Sequence, residues 1–244
     1  MSTVLKVAVI GAAGRMGATV CQAVTDAADL ELVGRFDMGD ALGDLGGADV
    51  VVEFSVPSAS LANVQHCIAQ GVHVVVGTTG WTPDKLELLR ESLAAQPDTG
   101  VLIAPNFAIG AILMMRFAEM AAPWFETAEI IELHHDNKID SPSGTAMRTA
   151  ERMAAASADW APDPTVTHTV GGARGGLGPA GIHMHAVRMR GMVAHQEVLL
   201  GTTGQTLSIR HDSYDRSSFM PGVVLGAKRI GHHPGVTVGL DSFL

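Results

Sequence analysis

The chain has 244 residues, 47% apolar and 17% charged, with a formal net charge of −9; this excludes a disordered chain and gives enough apolar material for one large core or two modest ones. The negative balance argues against nonspecific nucleic-acid binding, and it means that any anionic ligand must be drawn by a local basic patch. No basic leader with a small-residue cleavage site opens the sequence, and no apolar run reaches the ~18 residues of a membrane span, so a cytoplasmic protein with no membrane partner is expected.

Residues 4–10 form a short β-branched run of the kind buried in a parallel strand. They lead into Gly11, Ala12, Ala13, Gly14, Arg15, Met16 and Gly17, and then into a helix predicted over 18–27. Glycines at this spacing allow a tight turn, approach of a pyrophosphate to the backbone, and close helix-on-strand packing. A second strand over 30–36 ends at Asp37, about 20 residues past the last glycine, where an acid can hold the ribose hydroxyls of a dinucleotide. That acid favours NADH. Arg15 could instead meet the extra phosphate of NADPH, and Arg35 alternates onto the same strand face as Asp37. Both cofactors therefore stay open.

Strands over 49–55, 71–77 and 101–104 alternate with helices over 57–70 and 83–93, which calls for a parallel sheet covered on both faces. Cys21 and Cys67 fall in two of the helices without CxxC spacing and read as buried thiols. Ligands of such sheets sit beyond the carboxyl ends of the strands. Gly77, Thr78 and Thr79 occupy that position, as do Ala104, Pro105, Asn106 and Phe107, and both turns could line a nicotinamide through backbone groups and the Asn106 amide. A Met-rich helix over 108–122 follows, with Met114, Met115 and Met120 expected in packing.

A strand over 128–133 then enters the most chemically loaded stretch, from Glu132 through His134, His135, Lys138, Pro142, Ser143, Gly144 and Thr145 to Ala146. Pro142 suits the first turn of the next helix, Ser141 or Ser143 can cap it, and Gly144 and Thr145 bring backbone amides forward. A helix N-terminus beside imidazoles and an amine suits a small carboxylate substrate. After residue 156 the pattern changes. Residues 171–181 are too glycine-rich for regular structure and read as a mobile loop carrying Arg174. Strands over 182–190, 194–200 and 206–212 lie close together, which implies an antiparallel or mixed sheet and a second domain. A helix over 219–230 and a strand over 236–240 close the chain.

The fold class expected is α/β, with an N-terminal Rossmann-like parallel sheet and a second α+β domain on a mixed or antiparallel sheet. The domains are set at 1–107, completed by 216–244, and 108–215. No HExxH, cysteine cluster, GxSxG elbow or P-loop is present, so neither a catalytic metal nor covalent hydrolysis is expected. His134, His135 and Asp136 include common metal ligands and His211, Asp212, His232 and His233 add more, but adjacent residues in extended chain point to opposite sides, so His134 and His135 cannot easily share one metal, and His232 and His233 read as surface residues. A dinucleotide beside His134, Lys138 and an anion hole suits hydride transfer to an electron-poor C=C or C=N of a small carboxylate.

Gly11 to Gly17, the Val76-Gly-Thr-Thr-Gly80 and Ala104-Pro-Asn-Phe107 segments, Glu132-Leu-His-His135 and Ser143-Gly-Thr145 together resemble the signature segments of the dihydrodipicolinate reductases, now usually called 4-hydroxy-tetrahydrodipicolinate reductases. The resemblance runs in order through essentially the whole chain. It implies NADH- or NADPH-dependent reduction of a cyclic dicarboxylate on the diaminopimelate route to lysine, by a homotetramer. It makes His134 and Lys138 the acid–base pair, His135, Gly144 and Thr145 substrate-binding, and Gly11 to Met16, Asp37, Gly77 to Thr79 and Ala104 to Phe107 cofactor-binding. One departure stands out. Many members read His-His-x-His-Lys, and here Asp136 and Asn137 stand between His135 and Lys138, so part of the positive charge facing a dicarboxylate is replaced. Two rivals remain at this stage: a related reductase acting on another imine or carbonyl acid, and a nicotinamide-binding sensor without catalysis.

Overall fold

The structure, a computed structural model, describes residues 4–244, so the first three residues of the expected first domain lie outside it. In chain order it contains β1 (Leu5–Ile10), α1 (Arg15–Asp26), β2 (Leu30–Phe36), β3 (Val50–Glu53), α2 (Pro57–Ala69), β4 (His73–Val76), α3 (Pro83–Leu93), β5 (Gly100–Ile103), α4 (Ile109–Ala121), β6 (Thr127–His134), α5 (Gly144–Ala156), β7 (Gly176–Leu177), β8 (His183–Arg188), β9 (Ala194–Thr202), β10 (Gln205–Ser213), α6 (Met220–Arg229) and β11 (Gly235–Val238). The backbone divides into two compact units, Met1–Ala108 with Arg216–Leu244, and Ile109–Asp215.

The first unit is built on a six-stranded sheet in the order β11-β5-β4-β3-β1-β2, parallel throughout. Val50, Val51 and Val52 on β3 and Val74, Val75 and Val76 on β4 are at most 1% exposed. Burial on both sheet faces is why these strands read as unbroken valine runs, and each such side chain contributes about 1.5–3 kcal/mol of burial energy. The order reverses between β1 and β3, which opens a crevice beyond their carboxyl ends. Gly11 makes the turn out of β1 at φ +82°, and a Cβ there would overlap the Phe54 carbonyl. A Cβ at Gly17 would overlap the Gly11 carbonyl in turn, so glycine lets α1 seat directly on the strand. The helix starts at Arg15 with Gly14 as its cap, so Arg15 and Met16 are helical where the sequence pattern put the start at 18.

The second unit holds a mixed five-stranded sheet in the order β10-β9-β6-β8-β7, with β6 and β8 parallel and the other pairs antiparallel. The expected pairing of a parallel Rossmann-like sheet with a mixed sheet is therefore found. Along β6, Ile130 and Glu132 are buried, whereas Glu129, Ile131 and Leu133 are only half-buried. Ala118 of α4 and Ala146, Ala150 and Met153 of α5 pack with Ile130, Val198 and Leu200 of the sheet. Helices thus cover one face of the sheet, and period-two alternation follows.

Three local expectations are corrected. Met114 and Met115 are buried, but Met120 is 70% exposed. It lies about 140° round the helix from Met115, off the packed face. Residues 171–181 contain β7 and a short 3₁₀ turn over Pro179–Gly181, and Arg174 is ion-paired to Glu129 and Asp163. His232 is exposed, but His233 stacks on Phe243 with ring centroids 4.1 Å apart.

Candidate active site

A cavity of about 350 Å³ lies at the crevice of the first unit, lined by Gly14, Arg15, Met16, Phe54, Ser55, Pro57, Gly77, Thr78, Thr79 and Arg216. Six of these were expected from the sequence. Gly11, Ala12 and Ala13 form the turn behind them, where the Gly11 and Ala12 amides both donate to the Phe36 carbonyl at 2.8 and 3.1 Å. Asp37 closes the same turn by accepting from the Ala13 amide at 2.7 Å and the Met38 amide at 2.8 Å. Those amides, Met38 first, hold its carboxyl below the usual range, so it faces solvent as an anion. Arg35 turns instead toward α1, where its guanidinium lies beside the Cys21 thiol.

Ala104, Pro105, Asn106 and Phe107 follow β5 but do not line the cavity. The Asn106 amide oxygen accepts from the Ala108 amide at 2.9 Å, holding the local backbone where the sequence suggested a nicotinamide contact. Phe107 is buried, its ring 5.9 Å from that of Phe54. Phe54 and Ser55 were not foreseen. The turn that carries them is fixed by the fully buried Glu53, which accepts from the Ser60 hydroxyl at 2.6 Å and the Ser55 amide at 3.2 Å, and also from the Ser55 hydroxyl and the Asn63 amide.

In the second unit β6 delivers His134 at its end, in register with Arg188 of β8. Its imidazole Nδ1 meets Oε2 of Glu132 at 2.5 Å. A carboxylate only accepts, so Nδ1 carries a proton and Nε2 is the nitrogen able to exchange one. Glu132 is fully buried, and Arg188 grips both its oxygens at 2.7 and 2.8 Å. Burial pushes the Glu132 carboxyl up, but the hydrogen bonds from His134 and Arg188 outweigh it and bring it down to about 2. Lys138 Nζ donates to both carboxylate oxygens of Asp140, at 2.7 and 2.8 Å, and holds that carboxyl below its usual range. His135 is exposed, and its carbonyl accepts from the Lys138 amide at 3.2 Å.

Helix α5 opens at Gly144 with Ser143 as its cap, the Ser143 hydroxyl accepting from the Ala146 amide at 3.2 Å. Of the two serines suggested by sequence, Ser143 is the one used. Pro142 stands before the cap, not in the first turn. Nothing lies within 4 Å of where a Gly144 Cβ would sit, so the backbone is open there. Asp136 is paired to Arg190 at 2.8 Å, which offsets the negative charge that the sequence adds to this loop. Among the described residues no group of three or more His, Cys, Asp or Glu side chains could hold a metal ion. Asp212 is taken up by Arg210 and by His195 Nδ1 at 2.7 Å, and the His211 ring packs on Gly110.

The family profile described as dihydrodipicolinate reductase, N-terminus, matches residues 5–107, and the one described as dihydrodipicolinate reductase, C-terminus, matches residues 110–244. The 4-hydroxy-tetrahydrodipicolinate reductase of Streptomyces avermitilis is 54% identical over 98% of both chains, and that of Corynebacterium urealyticum 52% over 98% of both. Dipicolinate-bound dihydrodipicolinate reductase from Paenisporosarcina sp. TG-14 superposes with a TM-score of 0.88 at 35% identity, over 99% of this chain and 100% of that one. The chain belongs to the dihydrodipicolinate reductase family.

A nicotinamide dinucleotide, the cofactor of dihydrodipicolinate reductases, fits the residues of the first unit. The Thr78 hydroxyl is buried in the cavity wall with no hydrogen-bond partner among the described residues, a polar atom left for a ligand to satisfy. Arg15 and Arg216 add two guanidinium groups to the same wall, as an anionic pyrophosphate requires. The sequence offered no route to Arg216, which comes from the far end of the chain. Arg188 was missed in the same way, since strand pairing, and not spacing, brings it to Glu132.

Proposed function

We propose that this chain is a 4-hydroxy-tetrahydrodipicolinate reductase using NADH or NADPH, acting in lysine biosynthesis through diaminopimelate. The observation that carries the reading is the end-to-end likeness to reductases of that name, 54% identical over 98% of both chains. The solved relative with dipicolinate bound supports a cyclic dicarboxylate as substrate.

The reaction takes up one hydride and one proton and releases water, giving tetrahydrodipicolinate. When bound, the nicotinamide cofactor supplies the hydride. The chain's own groups supply position and protons. Arg15, Arg216 and the positive N-terminal end of α1 hold the pyrophosphate, Asp37 accepts from the ribose, and Gly77, Thr78 and Thr79 orient the nicotinamide end. His135 and the Gly144 and Thr145 amides bind a substrate carboxylate, helped by the positive end of α5. Lys138 Nζ is the proton donor, and His134 exchanges a proton through Nε2 while Nδ1 stays on Glu132. Asp140 holds the Lys138 ammonium ready as a charged donor until a substrate carboxylate competes for it.

The half-buried outer face of the second sheet, with Ile131, Leu133 and Leu199 on it, supports self-association, and the family resemblance supports a homotetramer working in the cytoplasm. Substrate generated in situ from pyruvate and aspartate semialdehyde by a coupling synthase tests the activity. Oxidation of NADH or NADPH dependent on that substrate is expected, and light scattering should give the mass of four chains. No oxidation with either cofactor would refute the reading.

A further inference from the structure

Glu132 and Arg188 do more than satisfy each other. Glu132 Oε2 takes Arg188 Nη1 at 2.8 Å and His134 Nδ1 at 2.5 Å, while Oε1 takes Arg188 Nη2 at 2.7 Å and the Ser143 amide at 3.2 Å. Arg188 Nη2 also donates to the Asp140 carbonyl at 2.8 Å. One guanidinium–carboxylate fork thus ties together the imidazole, the backbone of the residue that holds Lys138, and the cap of α5.

Neither the helix nor the sheet needs these bonds. Ser143 makes the cap with its own hydroxyl, and β6 and β8 pair through their backbones. A buried ion pair gains little over an apolar pair of the same shape, because desolvation cancels most of its attraction, although removing one partner once it is built is costly. Its value lies in orientation. A bidentate fork fixes the carboxylate plane, and that plane fixes which imidazole nitrogen carries the proton.

We propose that Arg188 and Glu132 are positioning residues that together set the tautomer of His134 and the register of the anion-binding turn at Asp140–Gly144. This rests on the reading of His134 as the acid–base group. The protein already exchanges protons at His134 Nε2 in that reading, and the fork keeps Nδ1 out of the exchange. In Glu132→Gln the amide can present its NH₂ group to the imidazole, which favours the wrong tautomer. In Arg188→Lys the charge remains, but a single ammonium cannot span both carboxylate oxygens and the Asp140 carbonyl.

The test uses the full chain with NADH and compares wild type, Glu132→Gln, Arg188→Lys and a His134→Gln control. Readouts are kcat and KM for the dicarboxylate, NADH affinity by fluorescence, and the ¹⁵N spectrum of the His134 ring. Wild type should show a proton on Nδ1 hydrogen-bonded to Glu132. Glu132→Gln should lose that signature and roughly 10²–10⁴-fold in kcat, and Arg188→Lys should raise KM by about tenfold. NADH affinity should be unchanged in both. A wild-type His134 with its only ring proton on Nε2 and none on Nδ1 would overturn the proposal even if both variants failed to fold. Wild-type kinetics in Glu132→Gln and Arg188→Lys, with His134→Gln inactive, would overturn it while leaving the acid–base reading intact. Normal turnover in His134→Gln would sink the underlying reading instead.

Discussion

The Glu132 carboxylate and the His134 imidazole meet at 2.5 Å on a strand where Glu132 is wholly buried. Such a carboxylate must be ionised for the bond to hold, and this links the site to acid stability. Its folded pKa of about 2 lies below the ordinary 4.5. Stabilisation is therefore complete above pH ~4.5 and drains away as pH falls toward 2, by roughly 3 kcal/mol in all. Wild type should lose stability steeply across that window in denaturant titrations. Glu132→Gln, already less stable at neutral pH, should be flatter there. Equal slopes for the two proteins would mean that Glu132 is not the group responsible.

Asn137 lies between His135 and Lys138 without a charge of its own, and the neighbouring Asp136 is ion-paired to Arg190. Asn137→His should therefore lower KM for the dicarboxylate several-fold at pH 6, where an added imidazole is largely protonated, with little change at pH 8. A KM independent of this substitution at both pH values would show that position 137 does not face the substrate.

Asp37 and Arg216 should separate cofactor choice from cofactor affinity. In the proposed reading, Asp37→Asn removes the anion that would accept from a ribose hydroxyl and repel a 2′-phosphate. It should shift the kcat/KM ratio toward NADPH by about tenfold. Arg216→Ala takes away a cation from the cavity wall common to both cofactors. It should weaken NADH and NADPH alike, and flatten the dependence of affinity on salt. The dissociation constants of both cofactors for each variant check this directly.

Much of the fold was legible because parallel strands buried on both faces must be apolar throughout, as the runs at Val50–Val52 and Val74–Val76 are. The histidine loop was legible for another reason. His134, Lys138, Ser143 and Gly144 lie within a dozen residues, so chemistry and helix cap appear together in one window. What stayed hidden is what distance in sequence hides. Arg188 reaches Glu132 across 56 residues through the β6–β8 pairing, and Arg216 joins Gly14 only because the end of the chain returns to the first unit. Met120 and Pro142 failed for want of angular and cap detail: one residue faces away from the helix contact, and the other precedes the cap. Asn106 was polar in a suitable turn, but its amide oxygen is engaged by the Ala108 backbone amide.

Lys138 is where the functional reading is most exposed. The decisive comparison is steady-state oxidation of NADH and NADPH by wild type and Lys138→Ala, with the cyclic dicarboxylate generated in situ and cofactor affinity measured alongside. The expected result is turnover in wild type and a loss of about 10²–10⁴-fold in kcat for the variant, with cofactor binding preserved. Wild type that binds cofactor but reduces nothing, or a variant that turns over at the wild-type rate, would contradict the assignment of this loop as the reducing site.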